Sequence, residues 1–161
     1  MKTYICLLRG SNVGRKNCLS MAELKSAMEG AGCMDVKTCI NSENIIFRSS
    51  RDNLPFFCQN LIKDKFGLEL TCQILSAEGL FRLAVPKWFN QDSDSKHNAI
   101  FTIHPWTARD VSERMPIIKL ELERVAVVDE VLFWTCSKKN FSKTTYGKLA
   151  LKSKGYAMTI V

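Results

Sequence analysis

Val36-Lys37-Thr38-Cys39-Ile40-Asn41-Ser42-Glu43-Asn44-Ile45-Ile46-Phe47-Arg48 is the stretch that decides the fold of the first half of the chain. Two short runs rich in β-branched and aromatic residues, 36–40 and 45–48, flank a polar tetrad whose residue types favour a tight turn. The stretch reads as a β-hairpin. Both of its flanks read as helices. Upstream, Ser20 with Glu23 three residues later has the form of a capping box. Met21, Leu24, Met28 and Ala31 recur at helical spacing, and Gly32 can close that helix. Downstream, Asn53 is placed to cap a second helix and Pro55 fits its first turn. Leu54, Phe57, Cys58, Leu61, Ile62 and Phe66 make its apolar stripe, and Gly67 ends it. Apolar runs at residues 3–8 and 70–75 supply one further strand at each end. The order is βαββαβ, the ferredoxin-like arrangement.

The second half repeats this order without repeating the sequence. Ser76 opens a connecting helix that runs through Phe81 and Leu83 toward Pro86, and a polar linker covers residues 87–97. Residues 99–104 read as a strand. Thr107, with Asp110 three positions on, caps a short helix that Met115-Pro116 stops. Residues 124–128 and 131–136 form a hairpin around Asp129-Glu130. A lysine-rich helix follows over 143–152, with Gly155 at its end, and then a last strand over 156–161. The expected fold is α+β: tandem ferredoxin-like units, each an antiparallel sheet with its helices packed on one face. Residues 1–75 make the first unit, 76–97 the connecting helix and linker, and 98–161 the second.

A chain of 161 residues with 46% hydrophobic residues can bury its own core without staples. The seven cysteines are odd in number and show no CxxC spacing, so they read as reduced thiols, mostly in the core. Cys18 stands in a polar loop and is the one candidate for a reactive thiol. No signal-peptide core and no membrane-length run is visible, and a cytoplasmic location is expected. The net charge of +7 invites anionic partners. It is shared between the halves, with 10 basic and 7 acidic side chains in residues 1–75 and 13 and 9 in the remainder. Only residues 138–154, with six lysines and no acid, are lopsided. A solvated helix face explains that stretch about as well as an anion-binding patch.

Arg9-Gly10-Ser11-Asn12-Val13-Gly14-Arg15-Lys16-Asn17 is the loop with the clearest chemistry. It joins strand to helix over about ten residues, where about 2–6 are usual. Its glycines let backbone N–H groups converge on an anion, its cations and amides add charge and orientation, and the next helix lends its positive end. It is not a P-loop, because three residues rather than four separate Gly10 from Gly14 and Arg-Lys-Asn follows. The turn at Ser42 and Asn44 can lie beside it. His97, in the linker, and His104, before Pro105, have no partners at metal-ligand spacing. No catalytic triad or nucleophile elbow is present, and Asp92-Ser93-Asp94 lacks the rest of a calcium loop. Glu121 and Glu123 alternate with apolar residues, as on a solvated strand face. Tyr4, Phe47, Phe101 and Trp134 sit on the strands from which RNA recognition motifs present aromatics, without the motif's Gly-Phe pattern. Lys87-Trp88 in the linker is a weaker hint of a contact point for a partner.

The run Leu8-Arg9-Gly10-Ser11-Asn12-Val13-Gly14-Arg15-Lys16-Asn17, with Met21-x-Glu23-Leu24, resembles the opening of the domain-of-unknown-function 1697 family. Ile40-x-Ser42-x-Asn44-Ile45-Ile46-Phe47 is similar to that family's Ser-Gly-Asn hairpin, and Phe141-Ser142-Lys143 to its late Ser-Lys element. The resemblance implies a pair of ferredoxin-like units and supplies no reaction. Ser11 and Arg15 depart from the usual Ile and Gly, and they make the loop more polar and cationic. Glu43 stands where the family has Gly. The family usually continues past the last strand with an Arg-Asn-Trp-type element, which this sequence of 161 residues does not contain.

Three functions are open on these observations. The first is binding of a small anion by Arg9, Gly10, Asn12, Gly14, Lys16 and Asn17, with Ser42 and Asn44 alongside. The second is a nucleic-acid module using the net positive charge. The third is a protein–protein module using a sheet edge such as residues 156–161. No cofactor, metal or membrane association is expected, and the chain is expected to be a monomer or a weak homo-oligomer.

Overall fold

The structure, a computed structural model, describes residues 1–9, 19–39, 44–114, 121–152 and 157–160. They belong to two compact units, Met1–Arg82 and Leu83–Val161. The first unit holds β1 (Lys2–Arg9), α1 (Met21–Gly30), β2 (Met34–Cys39), β3 (Asn44–Ser49), α2 (Leu54–Phe66), β4 (Thr71–Ser76) and the short α3 (Ala77–Arg82). Its sheet has the order β2-β3-β1-β4, and every neighbouring pair is antiparallel. The tandem ferredoxin-like α+β reading holds.

Period-two alternation decides which side chains face the helices. In β1, Tyr4, Cys6 and Leu8 share one face; in β3, Ile45 and Phe47 stand opposite Cys6 and Tyr4. They pack with Val36 and Cys72 against Leu24 and Met28 of α1 and Leu54, Cys58 and Ile62 of α2. The stripes on both helices fall at the i, i+4 spacing read from the sequence. Ser20 Oγ accepts the Glu23 N–H at 3.3 Å. Gly67 takes φ +66°, and its N–H closes α2 on the Lys63 carbonyl. Asn53 is a correction. It precedes α2, but its side chain makes no capping hydrogen bond; its backbone is left-handed at φ +49°, a region asparagine tolerates better than most residues.

The second unit holds β5 (Ser95–Thr102), α4 (Ala108–Glu113), β6 (Glu123–Val128), β7 (Val131–Ser137), a 3-10 helix (Lys138–Lys143), α5 (Thr145–Lys152) and β8 (Ala157–Ile160). The order β6-β7-β5-β8 matches that of the first sheet. Ile100, Leu132, Trp134 and Cys136 pack against Ala108, Val111 and Tyr146. The Thr107–Asp110 capping box is present in full.

Several boundaries differ from the sequence reading: β2 starts at Met34 rather than 36, α3 ends at Arg82 short of Leu83, and β5 ends at Thr102 rather than 104. β5 begins at Ser95, inside the stretch read as a polar linker through residue 97. Ser95, Lys96 and His97 pair with Ser137, Cys136 and Thr135 through the backbone, which needs no apolar side chain. Asp92 Oδ1 accepts the N–H groups of Asp94 and Ser95, so an Asx turn leads into the strand. Helix α5 begins at Thr145 rather than 143. Buried Thr144 caps it, accepting the Gly147 N–H at 3.0 Å and donating to the Phe141 carbonyl at 2.7 Å.

That cap depends on Gly147. A Cβ there would lie 1.9 Å from the Phe141 carbonyl oxygen and 2.6 Å from Thr144 Oγ1. Alanine normally stabilises a helix by about 1 kcal/mol relative to glycine, but here overpacking reverses the sign. Gly147→Ala should lower stability by about 2 kcal/mol, read as a fall of about 5 °C in melting temperature. An unchanged or raised melting temperature would contradict the cap geometry.

Candidate functional site

β1 ends and β3 begins at one end of the first sheet. Leu7 stands opposite Asn44, and Arg9 opposite Thr71 of β4. Arg9 and Asn44, both half-buried, therefore flank the same sheet end. α1 points its N-terminus toward that end. Residues 31–33 alone tie α1 to the start of β2, and β2 runs parallel to β1 because each is antiparallel to β3. The end of α1 next to Met34 is thus at the Lys2 side, and its beginning, at Ser20 and Met21, faces the Arg9 side. Of the residues read as a site, Gly10, Asn12, Gly14, Lys16, Asn17 and Ser42 lie outside the described residues, as does Cys18.

Two concave features among the described residues of the second unit carry the wrong charge for an anion. A cleft of about 580 Å³ is lined by Trp88, Asp92, Glu121, Glu123, Arg124 and Ser137, among others. Another, of about 700 Å³, carries Arg109 but also Glu113, Asp129 and Glu130. Both have more acids than bases. Among the described residues no three His, Cys, Asp or Glu side chains are grouped to hold a metal ion.

Glu123 corrects the sequence reading most sharply. It is 3% exposed and not on a solvated face. Its Oε2 accepts from Trp134 Nε1 at 3.0 Å and from the Tyr146 N–H at 3.2 Å, and its Oε1 accepts from the Thr145 N–H at 2.7 Å. The carboxylate thus satisfies a buried indole and two backbone donors in the first turn of α5. Two signals were present in the sequence. Glu123 shares the face of Val125 by strand period, and a buried tryptophan needs an acceptor.

His97 is likewise a member of β5 rather than of a linker. Its Nε2 lies 2.7 Å from the Asp92 carbonyl, and its Nδ1 lies 2.9 Å from Thr135 Oγ1 and 3.1 Å from the Asn90 N. Through these contacts His97 pins the preceding segment across β5 and β7. Phe89 of that segment covers Phe133 edge-on, with ring centroids 5.0 Å apart. Phe47, Phe101 and Trp134 are buried, and Tyr4 packs on Phe47, so none of them is a free stacking surface for a base. Hydrogen bonding to Cys58 and Cys72 within the core pushes the Cys6 thiol well above its ordinary range. Burial raises Cys33 and Cys136. Such thiols stay protonated at neutral pH and are poor nucleophiles.

The sequence profile of the family described as "Protein of unknown function (DUF1697)" matches residues 1–133. The chain belongs to this family. Among solved structures, a conserved bacterial protein of Streptococcus pneumoniae, SP0830, is similar to this DUF1697 chain with a TM-score of 0.82 and 25% identity. The match covers 99% of this chain and 92% of that one. No curated protein matches this sequence. No helix among the described residues is long and apolar enough to cross a membrane.

Removing the Glu123 carboxylate leaves the Trp134 indole and two backbone N–H groups without their acceptor. Glu123→Ala should cost about 3 kcal/mol in urea unfolding, with a shifted Trp134 emission. A loss under about 0.5 kcal/mol, the range of an ordinary surface substitution, would mean that the carboxylate does not hold α5.

Proposed function

We propose that this chain binds a small anionic ligand at the Arg9 end of its first sheet. The observation that carries the reading is the convergence there of Arg9, Asn44 and the N-terminal end of α1. The segment joining β1 to α1 supplies Gly10, Asn12, Gly14, Lys16 and Asn17, and the β2–β3 turn supplies Ser42. Backbone N–H groups and the helix end hold the charge. Arg9 and Lys16 strengthen the attraction, while Asn12, Asn17, Ser42 and Asn44 orient the rest of the ligand through neutral hydrogen bonds. Two clefts among the described residues of the second unit carry more acids than bases, which suits an anion less well than this end.

A nucleic-acid module is the second reading. It is favoured by one observation: Lys138, Lys139, Lys143 and Lys148 are all exposed along one short stretch of chain. It requires binding that weakens steeply with salt.

A thermal-shift comparison of wild type with Asn12→Ala tests the first reading against the second. The panel holds inorganic phosphate, sugar phosphates, nucleotides, carboxylates and short oligonucleotides. A ligand at about 100 times its Kd adds about 2.7 kcal/mol, or about 5–10 °C. The expected result is a shift with one small anion that Asn12→Ala abolishes. A shift confined to oligonucleotides and untouched by Asn12→Ala would favour the nucleic-acid module and overturn the small-ligand reading.

A further inference from the structure

Helix α2 carries more apolar surface than its core contacts use. Leu54, Cys58 and Ile62 are buried against the sheet at i, i+4, i+8 spacing. Phe57 and Leu61 are half-buried at the margin of that core. Phe56 points away from it and is 59% exposed. These last three rings and chains, with Asn53 and Asn60, line a shallow groove of about 330 Å³ bounded by Asp52 and Asp64. Neither acid forms an ion pair among the described residues. Asp64 also stands in the last turn of α2, where the helix dipole disfavours an acid. The helix is therefore not the reason for its placement.

We propose that this outer face of α2 docks a cationic amphipathic helix of a partner protein. Charge complementarity selects that occupant. The chain as a whole carries +7, which repels cations, yet this groove has an acid at each end and an apolar floor between them. Asp52 precedes α2, and the ten residues of helical rise from Leu54 to Asp64 cover about 15 Å. A helix lying along α2 meets both acids with basic side chains. Its apolar residues at i, i+3 or i+4, and i+7 cover Phe56, Phe57 and Leu61. The aromatic floor already accepts a cation, because the Arg51 guanidinium lies 4.7 Å from the Phe57 ring centroid. The same two carboxylates disfavour an acidic or phosphorylated segment. The groove shares no residue with the proposed anion site, and neither depends on the other.

The probe is a fluorescein-labelled 18-residue amphipathic helix of leucine and lysine, titrated by anisotropy against the whole protein. An isomorphous leucine–glutamate peptide serves as control. Saturable binding of the lysine peptide alone is expected, weakened about tenfold by Phe56→Ser. The pair Asp52→Asn with Asp64→Asn should weaken it comparably and flatten its salt dependence. Phe56 is exposed, so its serine variant should fold; if it does not, the double asparagine variant carries the test. Absence of binding, or binding that these substitutions leave unchanged, overturns the proposal.

Discussion

The first unit depends on β1 being hydrogen-bonded along both edges. Leu7 faces Asn44 on one side and Gln73 on the other, and the ladders run nearly the whole strand. A strand enclosed in this way has no free edge, and it fixes the register of its neighbours. Because Cys6 and Leu8 point to the helix side, every core residue of β3 and β4 is committed to that side too. At its C-terminal end β1 delivers the half-buried Arg9 to the surface. β5 is enclosed in the same way by β7 and β8, yet its segment of entry is anchored by His97 and Asp92 rather than by a long cationic loop. The two units share a fold and differ in what their central strands deliver to the surface.

Most of this architecture was legible in the sequence because alternation and helical spacing report burial directly. The hairpin, the α1 and α2 stripes, the Gly67 stop and the Thr107 cap follow from local rules. What escaped were interactions between distant segments. Ser95 to His97 looked like linker because hydropathy is blind to a strand held by its backbone and a polar turn. Glu123 looked solvated because its partners, Trp134 and the start of α5, are 11 and more than 20 residues away. Asn53 had the right residue type for a cap but the backbone put its side chain elsewhere. At the candidate site, the sequence allowed the turn at Asn44 to lie beside the Arg9 loop, and the antiparallel register of β1 and β3 sets Arg9 and Asn44 at the same sheet end.

Charge distribution separates the surfaces that remain. Two clefts of the second unit carry more acids than bases among their described lining residues, and the groove on α2 is bounded by two more acids. The β1–α1 connection is where cations, amides and glycines coincide in sequence next to a helix start. The Glu123 carboxylate, by contrast, is engaged by three donors of its own chain, and its role is to hold α5 in place.

The most direct measurement is an amide NMR titration of the nitrogen-15-labelled protein with inorganic phosphate at fixed ionic strength. The account predicts saturable shifts confined to the segment from Arg9 to Ser20 and to residues around Asn44, with the second unit unmoved. Shifts confined to Lys138–Lys148, or none that saturate, would contradict it.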